Sequence, residues 1–175
     1  MTESDLMVID DRQWGDRRSA LGTSWRLVTD GVMGGISDGR LTVDTVDGRS
    51  CLRLQGHVSL ENNGGFVQMA LDLAAQWPRD ASAYDGVLLD VHGNGETYNV
   101  HLRTSDLWLP WQSYRASFRA PPTWTTIRLP FASFNPYRTQ APLALRNLRR
   151  IGLVAIGREF DAELCLGRLA LYRDG

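Results

Sequence analysis

Apolar residues in this chain recur at every second position. Leu52, Leu54, Val58 and Leu60, with Gly56 in step between them, alternate with Arg53, Gln55, His57 and Ser59. Val67, Met69, Leu71 and Leu73 form a second row, and Tyr98, Val100 and Leu102 alternate with Asn99, His101 and Arg103. Ile127, Leu129 and Phe131 alternate with Arg128 and Pro130. A period of two sends one set of side chains to each face of a strand. Each row therefore predicts a strand with one face on a core and the other toward solvent or a ligand. The continuous apolar runs at 87–91 and 151–156 predict strands covered on both sides, and a last strand is expected over about 164–172.

Turn chemistry separates these rows. Asp-Gly stands at 30–31, 38–39, 47–48 and 85–86, and Asn-Gly at 63–64 and 94–95; both pairs tolerate the positive φ of tight hairpins. Helix signals are confined to single turns at 74–77 and 142–145. Roughly ten strands with no long helix predict an all-β chain, an antiparallel β-sandwich. With no internal repeat or linker, residues 1–175 are expected to form one domain.

Composition narrows the classes. The 175 residues are 43% hydrophobic and 22% charged with a net charge of -1, the make-up of an ordinary globular domain. Near-balance of charge argues against a nucleic-acid partner. All 19 basic residues are Arg, which excludes Lys-dependent chemistry such as a Schiff base or a P-loop. No window is apolar enough to span a membrane. The acidic stretch 1–12 resembles neither a secretory signal nor a transit peptide, so a cytoplasmic location is expected. Cys51 and Cys165, far apart in strand-like surroundings, read as two buried free thiols.

Catalytic motifs are missing: there is no G-x-S-x-G, H-E-x-x-H, C-x-x-C or Walker sequence. His57, His92 and His101 lie on separate expected strands without metal-ligand spacing. The expectation is a protein that is not an enzyme and carries no cofactor or metal.

Three segments stand out as binding candidates. The Gly-rich stretch 29–37 contains Asp30, Met33 and Ser37; its glycines leave N–H groups that could meet an anion or a partner backbone, with Met33 as an adaptable apolar tip. The stretch 58–66 carries Asn62 and Asn63, whose amides both donate and accept. The stretch 99–118 holds Asn99, Arg103 and Tyr114 around an aromatic loop with Trp108 and Trp111. Turn formation alone accounts equally well for the first two segments, and capping of an open core end for the third.

Taken in order, these segments resemble a known family. Trp25, Asp30 to Gly35 with Ser37, then Gly56 and Val58 to Phe66 carry the likeness. They are followed by Tyr98 to Asp106, Tyr114, Phe118, Trp124, Ile127 to Phe131 and Phe134. The pattern, over about 25–172, is similar to the complex I intermediate-associated protein 30 family, in the form of a bacterial stand-alone member. The resemblance implies a galactose-binding-domain-like jelly roll. It also implies a chaperone-like role in assembling NADH:ubiquinone oxidoreductase, with a protein partner such as a complex I assembly intermediate. Arg103 and Tyr114 are the expected polar and aromatic anchors of that contact. The alternative is a carbohydrate ligand held on the jelly-roll surface by Trp108, Trp111, Asn62, Asn99 and Arg103.

Overall fold

The computed structural model describes residues 5–174, without the side chains of Val32, Met33 and Asn63. Twelve strands build it: β1 (Leu6–Asp10), β2 (Arg26–Thr29), β3 (Asp38–Val46), β4 (Arg49–Val58), β5 (Phe66–Asp72), β6 (Gly86–His92), β7 (Thr97–Thr104), β8 (Ser113–Arg119), β9 (Thr125–Pro130), β10 (Asn135–Tyr137), β11 (Leu148–Ile156) and β12 (Phe160–Tyr172). They form two six-stranded antiparallel sheets. The first has the order β3-β4-β12-β6-β9, with β1 beside the end of β12; the second runs β10-β8-β7-β11-β5-β2. The all-β sandwich expected from the sequence is the architecture found.

The alternating rows explain why the sheets stack. Leu52, Leu54 and Val58 of β4, Val67, Met69 and Leu71 of β5, and Tyr98, Val100 and Leu102 of β7 all turn inward. There they meet Leu164, Leu166 and Leu169 of β12 and Ile151 and Leu153 of β11. Each fully buried aliphatic side chain contributes about 1.5–3 kcal/mol of hydrophobic stabilisation.

Differences from the sequence reading are local. No row of the sequence reading covers β1, β3, β8 or the three-residue β10: β10 is too short and only Leu41 of β3 is buried, whereas β8 does alternate, Tyr114, Ala116 and Phe118 against Arg115 and Ser117. β12 begins earlier than expected, at Phe160. Residues 74–77 form bends and no helical turn, while the turn expected at 142–145 sits at Leu145–Asn147 as a 3-10 turn. Among the described residues no helix is long and apolar enough to cross a membrane.

Cys51 and Cys165 are buried and free. Their sequence distance hides a cross-strand contact: the two side chains are hydrogen-bonded between β4 and β12, and that bond together with burial pushes the Cys165 thiol up.

Candidate functional site

After β2 the chain makes a 3-10 turn at Asp30–Met33, capped by the Thr29 side chain, which accepts from Gly31 N, and closed by Gly34 at φ 86°. Asp30 heads this turn and is 0% exposed. Its carboxylate accepts from Ser37 N (3.0 Å), Ser37 Oγ, Gly65 N and Phe66 N (3.2 Å). Ser37 Oγ also accepts from Ser59 N at 2.8 Å. One buried carboxylate thus fastens the Gly-rich loop to the Asn-Asn-Gly-Gly segment, which is no hairpin but a crossover from β4 of the first sheet to β5 of the second. Burial opposes its ionisation, but the hydrogen bonds from Ser37, Gly65 and Phe66 outweigh burial and hold its pKa below 3.8.

The neighbouring glycines follow from this contact. A Cβ at Gly35 would lie 2.5 Å from Asp30 Cγ and 2.8 Å from Gly64 Cα, and one at Gly64 would lie 2.5 Å from Asp30 Oδ2. The anion met by the backbone N–H groups of these loops is therefore the chain's own Asp30. Asp30 and Ser37 are buried fasteners, and the side chains that reach solvent here include Ile36, Leu60, Glu61 and Asn62. Asn62 adopts φ 56°. The side chains of Met33 and Asn63 lie outside the described residues.

The aromatic segment sits at the opposite end of the sandwich. Asp30 lies by the start of β5, whereas the β7–β8 loop lies by its finish, where Asp72 pairs with Arg150 of β11. Arg103 Nη1 donates to the carbonyls of Leu109 (2.9 Å), Pro110 (3.2 Å) and Gln112. Gln112 Oε1 in turn accepts from Trp108 N and Leu109 N. Arg103 is thus the internal clasp of the loop, and burial together with Arg150 and Arg149 lowers its pKa. Trp108 and Trp111 point to solvent. Tyr114, expected as a surface anchor, is 1% exposed. Its place in the β8 register faces the core, and its hydroxyl donates to the carbonyls of Ala141 and Pro142.

Between the two ends, the outer face of the second sheet and the adjoining β9 edge hold an open cleft of about 620 Å³. Asn99, Arg115, Ser117, Arg128, Asn135 and Tyr137 line it. Only Asn99 was singled out from the sequence. The remainder come from β8, β9 and β10, and alternation marks such residues as outward-facing without saying which become neighbours. Arg115 lies 3.6 Å over the Tyr137 ring, and burial plus the nearby Arg115 charge push His101 down to about 3.

The three histidines are not brought together. His57 pairs with Asp161 and Glu159, His92 with Asp47, and His101 lies on the other sheet. No cluster of potential ligands that could hold a metal occurs among the described residues.

Comparison with solved structures matches this architecture to carbohydrate-binding modules of Clostridium thermocellum. The family 11 module of cellulosomal cellulase Lic26A-Cel5E superimposes with a TM-score of 0.74 at 12% identity, covering 97% of this chain and 95% of that one. The same family's module in complex with a beta-1,3-1,4-mixed-linked tetrasaccharide gives 0.73 at 13% identity, covering 96% and 95%. The family 30 module of Cel9D-Cel44B gives 0.67 at 11%, covering 97% and 98%. At such identity the likeness shows a shared jelly-roll fold. No curated protein matches the chain. The sequence model of Complex I intermediate-associated protein 30 matches residues 16–166, most of the length over which the ordered motifs and the Asp30 fastening occur, and the chain belongs to that family.

Proposed function

We propose that this protein is a non-enzymatic binding domain that acts in the cytoplasm as an assembly factor for NADH:ubiquinone oxidoreductase or another membrane-associated complex. Family membership over residues 16–166 supports the role. The observation that carries the reading is the Asp30 fastening, which makes two loops into one rigid end and displays Ile36 and Leu60 beside Asn62. Exposed apolar side chains on a preorganised support lose little entropy on binding. A small contact with a polar rim also suits a partner that must later be released.

The test is affinity capture from cell extract by the tagged full chain, compared with the Ile36→Glu, Leu60→Glu double variant. Recovery of complex I subunits by the wild type, with at least about tenfold less on the variant, is expected, since losing two apolar contacts removes about 1.4 kcal/mol or more. Absence of specific capture, or equal capture by the variant, overturns this reading.

The cleft favours one alternative, a carbohydrate ligand. Asn99, Asn135 and Ser117 offer amide and hydroxyl groups beside Tyr137, although the stacked Arg115 covers a face of that ring. Calorimetric titration with a mixed-linked β-glucan oligosaccharide decides it. Binding heat lost in Asn135→Ala supports the sugar reading, and no heat from the wild type removes it.

A further inference from the structure

The aromatic end carries more exposed apolar surface than a solvated loop end needs. Trp108 is 91% exposed, Trp77 77% and Trp111 52%, and Leu109 is also exposed. These residues come from two loops that the chain ties together. Arg79 pairs with Leu148, Leu148 pairs with Thr104 of β7, and Ser105 N donates to Asn147 O. Gln112 Nε2 joins the same group through Arg138 O.

Basic residues surround them. Arg146 and Arg149 are exposed and form no ion pair with a carboxylate among the described residues, whereas Arg150 and Arg26 are engaged with Asp72 and the Arg138 side chain turns to Tyr137. Asp80 and Asp106 oppose this set, Asp80 close enough to Arg146 to feel its charge, but Arg79 and Arg103 at the same two loops add to Arg146 and Arg149, which leaves a basic surplus around the indoles.

The backbone of the tip is satisfied from within. Arg103 takes up the carbonyls of Leu109, Pro110 and Gln112, and the Gln112 side chain takes up two tip N–H groups. Leaving water therefore strands few polar groups at the tip, the main cost of moving a loop into a medium of low polarity.

We propose that this end docks on the surface of an anionic phospholipid bilayer, with Trp77, Trp108 and Trp111 seated among the headgroups and Arg146 and Arg149 facing the lipid phosphates. An indole has an apolar body and one N–H donor, which suits the boundary between acyl chains and headgroups. Arginine adds charge attraction that reaches about one Debye length from the surface. Indoles presented on projecting loops with basic flanks suit a deformable anionic surface better than a fixed protein pocket. The contact is peripheral and requires no spanning element. It stands apart from the Ile36 and Leu60 surface, which lies at the other end, so either proposal can fail alone.

Co-sedimentation of the full chain with vesicles tests it, using phosphatidylcholine mixed with phosphatidylglycerol and phosphatidylcholine alone. Binding to the anionic vesicles is expected, weakened by salt and accompanied by a blue shift of tryptophan emission. The Trp108→Ala, Trp111→Ala variant should partition about tenfold less. Each of Arg146→Gln and Arg149→Gln should lower binding about fivefold; these surface changes leave the fold as an internal control by circular dichroism. Three results overturn the proposal: no sedimentation with anionic vesicles, equal binding to phosphatidylcholine alone, or unchanged binding by the tryptophan variant. Loss of protein capture by that variant with vesicle binding intact would make this end a protein interface instead.

Discussion

Asp30 shows how one side chain converts a sequence motif into a fixed geometry. Its carboxylate receives the donors of Ser37, Gly65 and Phe66 in a site without solvent access. Asp30→Asn keeps the shape but replaces one acceptor oxygen by a donor aimed at those N–H groups. The expected loss is about 2–3 kcal/mol, read from the denaturant midpoint. The folded pKa lies below the unfolded 3.8, so the ionised form stabilises the protein above that value. This contribution is lost as pH falls through the folded pKa, and Asp30→Asn should lack that part of acid denaturation. His101 behaves in the complementary way. Burial brings its folded pKa to about 3 from 6.5, so between those values the unfolded chain binds more protons and stability rises with pH. Denaturation curves across that window should be flatter for His101→Gln than for the wild type. Neither behaviour is legible in the sequence, where Asp30 reads as a turn residue or anion-site candidate and His101 as one polar position in an alternating row.

Strand register follows from which glycines face one another. Gly39 of β3 lies opposite Gly56 of β4, and a Cβ at Gly56 would meet Asp38 O at 2.1 Å and Gly39 Cα at 2.8 Å. Backbone cannot move aside cheaply, so Gly56→Ala should cost about 1–3 kcal/mol as a lowered melting midpoint. Gly152 on β11 makes the control. A Cβ there would meet Gln68 Oε1 at 2.1 Å, a flexible side chain that can swing away, so Gly152→Ala should be the milder change. β4, β5, β7, β11 and β12 were legible because each carries an apolar face or run, whereas β3, equally long, has only Leu41 buried and gives no such signal. β10 was not legible either, since three exposed residues hold no periodic signal. Its pairing with β8 depends on a register that only the assembled sheet supplies. Yet β10 brings Asn135 and Tyr137 to the cleft, and the cleft was illegible for the same reason.

At the scale of the molecule, the three candidate segments separate. The Gly-rich loop and the Asn-Asn-Gly-Gly crossover meet at one end, and the Trp108 loop occupies the other. The two ends should therefore act independently. Ile36→Glu with Leu60→Glu should leave vesicle sedimentation unchanged, and Trp108→Ala with Trp111→Ala should leave capture of a protein partner unchanged. Cross-effects in both directions would mean a single continuous surface. By itself the sequence determined the all-β class, the inward faces of most long strands, the Asp47-Gly48 hairpin and the family, because period-two burial and turn chemistry are local and ordered motifs are linear; Asp38-Gly39, with the same turn chemistry, is instead the paired start of β3. Tertiary structure alone decided that Tyr114 faces the core, that Arg103 clasps its own loop and that Cys51 touches Cys165. It also decided that Asp30 joins two loops distant in sequence, because long-range contacts depend on how twelve strands are ordered and registered.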